Sequence, residues 1–134
     1  MSREALTYSR IVDAQAANGV GKPVEVRDFK IIVIAVSGAN SPDLDLRIKG
    51  AIVNQLSDID FSAAASPDNQ HDNVGLYEYR SANFVDGGTG IEFVGTAYTK
   101  IYEINVSGLT YICPEVVNWS AGNVTVTLAG FSNL

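Results

Sequence analysis

The sequence predicts an all-β fold, a jelly-roll-like antiparallel β-sandwich of about eight strands with an extended N-terminal arm. Three observations carry this. Fifteen Val, eleven Ile and seven Thr make about a quarter of the 134 residues β-branched, and such side chains suit half-buried pleated surfaces. Twelve Gly and clusters of Asn, Asp and Ser punctuate the apolar runs every 8–12 residues or so. No window keeps an apolar i, i+3, i+4, i+7 pattern for three turns, which argues against a long helix.

Residues 1–22 read as the arm. Tyr8-Ser-Arg-Ile-Val12 could make a short strand, but the following Ala14–Gly21 stretch lacks bulky apolar residues to anchor it. Asn18-Gly-Val-Gly21 lacks the preceding strand and following helix of a phosphate-binding loop and is taken as a turn or joint. Residues 23–134 read as the β domain. Val24 and Val26 alternate with Glu25, and Ile31–Val36 is continuous, as in a strand covered on both faces. Ser37–Asp43 reads as a turn. Leu44, Leu46 and Ile48 alternate with Asp45, Arg47 and Lys49, a half-buried strand with a charged outer face. Asn54–Asn73 is a long irregular segment, and loops of that length in compact domains are usually functional. It is the expected place for partner contact.

Beyond the loop, Val74–Arg80 and Ile91–Val94 read as strands, and Tyr98, Tyr102, Ile104 and Val106 share one face. Ser107-Gly108 is expected to close a hairpin into Thr110–Cys113. Pro114 marks an edge or a bulge. Val116–Trp119 continues the strand, Ser120–Asn123 turns the chain, and Val124, Val126 and Leu128 face inward.

Composition narrows function mainly by exclusion. Nine basic residues against fifteen acidic ones give a net charge of −6, with no basic stripe to replace the counterions of a nucleic acid. The longest apolar run is too short to span a membrane, and Met1–Thr7 shows no apolar segment of a secretory signal. Single Cys and His residues exclude an internal disulfide and argue against an all-protein zinc site. His71 falls in a polar loop tip and is expected exposed; Cys113 falls in an apolar strand and is expected to be a buried thiol. No nucleophile–base pair is visible, so no enzyme is expected, and no cofactor. The closely spaced pairs Asp43/Asp45 and Asp58/Asp60, and Asp68 with His71 and Asp72, match no calcium-loop spacing and read as solvated turns. Three glycosylation sequons, at Asn105, Asn118 and Asn123, lie in or beside strands and read as chance matches. Tyr77, Tyr79, Tyr111 and Trp119 could form a glycan platform if they share an exposed face; the competing reading puts Trp119 in the core and the tyrosines in an interface.

Several stretches carry a resemblance: Val24-Glu-Val-Arg-Asp-Phe29, Asp60-Phe61 followed by Ser62–Pro67 and Asn69, Asp86-Gly-Gly-Thr-Gly90, and Tyr102-Glu-Ile-Asn-Val-Ser-Gly-Leu109. Together, over residues 18–129, they resemble small virion proteins of tailed bacteriophages, and among these the capsid decoration (cement) proteins. The resemblance implies a non-enzymatic structural protein on the capsid surface, made in the host cytoplasm. It would bind the major capsid protein and itself, as a homo-oligomer, with a trimer as the expected form. It implies no active-site residues. The residues expected to meet partners are Tyr8, Ile11 and Val12 in the arm, Asp60, Phe61 and Pro67 in the loop, and Tyr77 and Tyr79 on a strand. Tail or baseplate assembly, and a carbohydrate-binding module, are the alternatives.

Overall fold

The computed structural model describes the backbone of residues 3–133 and the side chains of residues 9–130. The ten strands are β1 (Arg3–Gln15), β2 (Gly19–Val20), β3 (Val24–Glu25), β4 (Ile31–Ala51), β5 (His71–Asn73), β6 (Leu76–Glu78), β7 (Phe84–Val85), β8 (Ile91–Val94), β9 (Thr99–Asn105) and β10 (Tyr111–Asn133). All ten join one antiparallel sheet, in the order β1-β10-β4-β9-β6-β7, with β2 and β3 on β10 and β5 and β8 on β4. The only helical turn among the described residues is a short 3-10 turn at Leu56–Asp58.

The all-β, antiparallel expectation matches this architecture. About eight strands were expected; ten form, all joined in one hydrogen-bonded sheet. Its organising feature is the pairing of the two longest strands, β4 and β10, from Tyr111↔Ala51 through Gly130↔Ile32. A straight strand of 21 residues would extend about 70 Å, yet Ile32, Ile34 and Val36 from one half of β4 share a core with Leu44, Leu46 and Ile48 from the other. The sheet therefore bends across its middle, and its two halves pack against each other around that core while its edges β1 and β7 stay unpaired with one another. The bend lies at paired irregularities, where register slips between Val117, Ala121 and Asn123 and left-handed backbone appears at Asn40, Ser41, Asn118 and Gly122. Bulges of this kind kink a strand without ending it. Gly38, at the bend, has no side chain and leaves room for the Phe93 ring.

This is why Ser37–Asp43 and Ser120–Asn123 do not turn the chain as expected: ladder pairing on both sides carries it through. The hairpin expected at Ser107-Gly108 also differs. The turn is present, closed by Leu109 N–H to Val106 O at 2.9 Å, but β9 pairs with β4, and β10 lies on β4's other side. Pro114 sits in mid-strand opposite Ile48. Its carbonyl accepts from the Gly21 amide, so its missing N–H points to the interval between β2 and β3, where pairing is interrupted.

Residues 3–15, read as part of an extended arm, form an outermost strand, paired with β10 from Arg3↔Asn133 to Gln15↔Val124 with three register shifts on the way. Ile11 and Val12 are buried in the main core. Two adjacent apolar residues both point inward because the register shifts between Arg10 and Val12.

Candidate functional site

Because side chains alternate across a strand, the bent sheet has an inner face, which is the core, and two outer faces. Outer residues of the second half include Asp45, Arg47, Lys49 and Ala51 on β4, facing Tyr111, Cys113 and Glu115 on β10 and His71 and Asn73 on β5. The 54–70 segment folds back over part of this face. Phe61 is driven into it and makes a second small core with Ala51, Val53 and Cys113, flanked by Val20, Ile59 and Tyr111.

Two polar side chains hold the segment in place, and both depart from expectation. Lys49, read as solvent-facing, is only 2% exposed. Its ammonium donates to the carbonyls of Phe61 (2.7 Å) and Ala63 (2.9 Å) and pairs with Glu115 at 3.1 Å. His71, read as an exposed loop-tip residue, is 4% exposed. Its Nε2–H donates to the Asp60 carbonyl at 3.2 Å, and its ring lies 5.5 Å from that of Phe61. Alternation along β4 and β5 says only that these residues leave the main core; the returning segment is what buries them.

The Asp60 carboxylate stays exposed and accepts hydrogen bonds from the hydroxyl and amide of Ser62, which hold its pKa below the usual carboxylate value. Cys113 is buried, with its Sγ directed at the carbonyls of Gly21 and Pro114. Burial pushes this thiol up to about 12. Native protein at pH 8 should therefore leave Cys113 unlabelled by a thiol reagent that reacts fully in guanidinium. Rapid labelling without denaturant would contradict the packing.

Between the returning segment and the end of β4 lies an open cleft of about 1000 Å³. Ile52, Val53, Pro67 and Leu109 supply apolar walls, and Asp58, Ser66, Gln70 and Asp72 supply polar ones. Ile52 is 73% exposed at this cleft.

The residues expected to meet partners are thus distributed unevenly. Pro67 lines the cleft, and Asp60 lies exposed in the segment beside it. Phe61 lies beneath the segment, while Ile11 and Val12 lie in the main core. Tyr77 and Tyr79 are exposed on the outer face of the other sheet half, and the Tyr8 side chain is outside the described residues. Gln70 belongs to the 54–73 segment expected to meet partners, whereas Ile52 and Leu109 lie outside it and join the cleft only because β5 and the β9–β10 turn flank the same end of β4.

The four aromatics of a possible glycan platform are dispersed. Tyr77 packs on Phe84, Tyr111 lies under the Arg27 guanidinium, and Trp119 packs partly into the main core with its indole N–H bonded to Gly122 O at 2.9 Å. Among the described residues no three or more His, Cys, Asp or Glu side chains gather to hold a metal ion.

No protein-family model matches the chain, and no curated sequence does. Among solved structures, the crystal structure of the SPBc2 prophage-derived protein YomS is similar, with a TM-score of 0.68 at 13% identity, covering 98% of this chain and 96% of that one. At such identity the likeness establishes a shared fold over nearly the whole of both chains.

Proposed function

We propose that this chain is a non-enzymatic structural component of a bacteriophage particle, and more finely a decoration protein that attaches to the major capsid protein on the capsid surface. The observation that carries the reading is the fold shared along nearly its full length with a prophage-derived protein; the sequence resemblance to phage virion proteins points the same way. The 54–72 region supplies a means of attachment. Its loop is pinned by Lys49, Phe61 and His71, so the adjoining cleft is held ready and binding requires little further ordering. The two carboxylates at that cleft, Asp58 and Asp72, favour a capsid segment carrying a basic side chain.

The test is add-back to particles that lack the protein. Wild-type chain should co-sediment with heads, and Ile52→Glu, which changes only an exposed cleft residue, should lower occupancy at least tenfold. Co-sedimentation with isolated tails but not heads would replace decoration by a tail or baseplate role. Binding to neither would overturn the proposal.

A further inference from the structure

The cleft at the end of β4 offers more hydrogen-bond acceptors than its own chain uses. Asp58 accepts from the Gln55 amide through Oδ2 at 3.3 Å, and Asp72 accepts from the Asn73 amide through Oδ1 at 2.7 Å. One oxygen of each carboxylate is thus held by the backbone. Among the described residues, neither has a hydrogen bond to its second oxygen or a salt bridge. His71, almost fully buried, lines the same cleft. Its Nε2–H is engaged by the Asp60 carbonyl, which leaves Nδ1 as an acceptor, and that atom is buried without a partner. Buried polar atoms rarely stay unpaired in a native protein.

We propose that the cleft captures an arginine side chain presented by a segment of the partner protein. This rests on the cleft being the attachment site and adds what it recognises. Sign is the first argument. The described lining contains Asp58 and Asp72 but no Lys or Arg. The whole chain carries −6, so a cation is drawn in and an anion is turned away.

Spread is the second argument. Among the described residues no three His, Cys, Asp or Glu side chains lie close enough to hold a metal ion, so Asp58, His71 and Asp72 suit a wider group than a bare ion. A guanidinium is flat and carries five N–H donors in a fixed fork, whereas an ammonium is a compact point charge with three. The third argument is the stem. Ile52, Pro67 and Leu109 wall the cleft with apolar surface, against which the arginine methylenes pack while the charged end reaches the carboxylates. The cleft volume of about 1000 Å³ leaves room for the backbone that carries the arginine.

Both carboxylates are exposed, and exposed ion pairs are individually weak, so a lone arginine should bind with a Kd of about 1–10 mM. NMR titration of the isotope-labelled whole chain with N-acetyl-arginine amide at low salt tests this. Saturable shifts should appear at Gln70, Asp72 and the His71 imidazole. N-acetyl-lysine amide should bind about threefold more weakly or worse, and N-acetyl-citrulline amide, which keeps the shape without the charge, should not bind measurably. Asp58→Asn and Asp72→Asn should each weaken arginine binding by about threefold or more. Asp43→Asn, which removes the same charge from an exposed position near the bend, should leave it unchanged. No saturation, lysine or citrulline matching arginine, or site variants indistinguishable from Asp43→Asn would each overturn the proposal. If Asp58→Asn loosens its turn, Asp72→Asn decides. Heads that bind the chain when arginine amide does not would remove this inference alone; arginine capture without binding to heads would remove the decoration reading alone.

Discussion

Lys49→Met is expected to destabilise the fold by about 3 kcal/mol, because it removes the ammonium that pairs with Glu115 and leaves the Phe61 and Ala63 carbonyls without their donor. The Lys49 side chain is 3% exposed and that of Glu115 17%, so water can reach only part of the abandoned carboxylate. For a chain of this size the melting temperature should fall by roughly 10 °C. Hydrogen exchange should quicken first at Ile59 and Ala63 in the returning segment, before the β4–β10 ladder loosens. The double variant Lys49→Met/Glu115→Leu separates causes. If the stranded charge dominates, replacing it with an apolar side chain recovers much of the loss. A double variant no better than the single one would place the loss in the loop carbonyls, and an unaffected single variant would show that the ammonium does not hold the segment.

Gly122→Val should prevent folding. The backbone there is left-handed, at φ +71°, and an added Cβ would lie 2.5 Å from Pro42 Cα, 2.6 Å from Ala39 O and 2.8 Å from Asn40 O. These are backbone atoms of the facing strand at the bend, so no side-chain rotation relieves the overlap. Left-handed strain alone costs about 1–2 kcal/mol; the collision adds to it and requires β4 and β10 to separate where the sheet bends. Gly108 is the control. It too is left-handed, at φ +88°, but nothing lies within 4 Å of its added Cβ. Gly108→Ala should therefore cost only the strain and remain folded. Equal melting temperatures for the two variants would mean that close strand contact at the bend is not needed.

The alternating runs were readable because they record burial directly. Ile32, Ile34, Val36, Leu44, Leu46 and Ile48 are all buried, as are Val124, Val126 and Leu128. The breakers were harder to read. Asn40, Ser41, Asn118 and Gly122 take the left-handed backbone that such residues tolerate, but the same local conformation serves a chain reversal or a bulge in a continuing strand. Which one forms depends on whether partners flank both sides of the irregularity, and those partners lie about 80 residues apart in sequence. For the same reason the Ser107-Gly108 turn was legible while its strand pairing was not.

The candidate site divides along the same line. The sequence by itself determined the all-β class, the long irregular segment after β4 and the apolar setting of Cys113, since each follows from local spacing; the covering of Ile31–Val36 on both faces, read from its unbroken apolar run, does not occur within the chain, where Ile32, Ile34 and Val36 are buried but Ile31 is 38% exposed. Only the tertiary structure decided that the irregular segment returns to bury Lys49 and His71, that residues 3–15 complete the sheet, and that one outer face is covered while the other is open. An alternating pattern states which side of a strand each residue takes. What covers that side is set by contacts between segments far apart in sequence, and the bend at Asn40–Ser41 and Asn118–Gly122 brings those segments together.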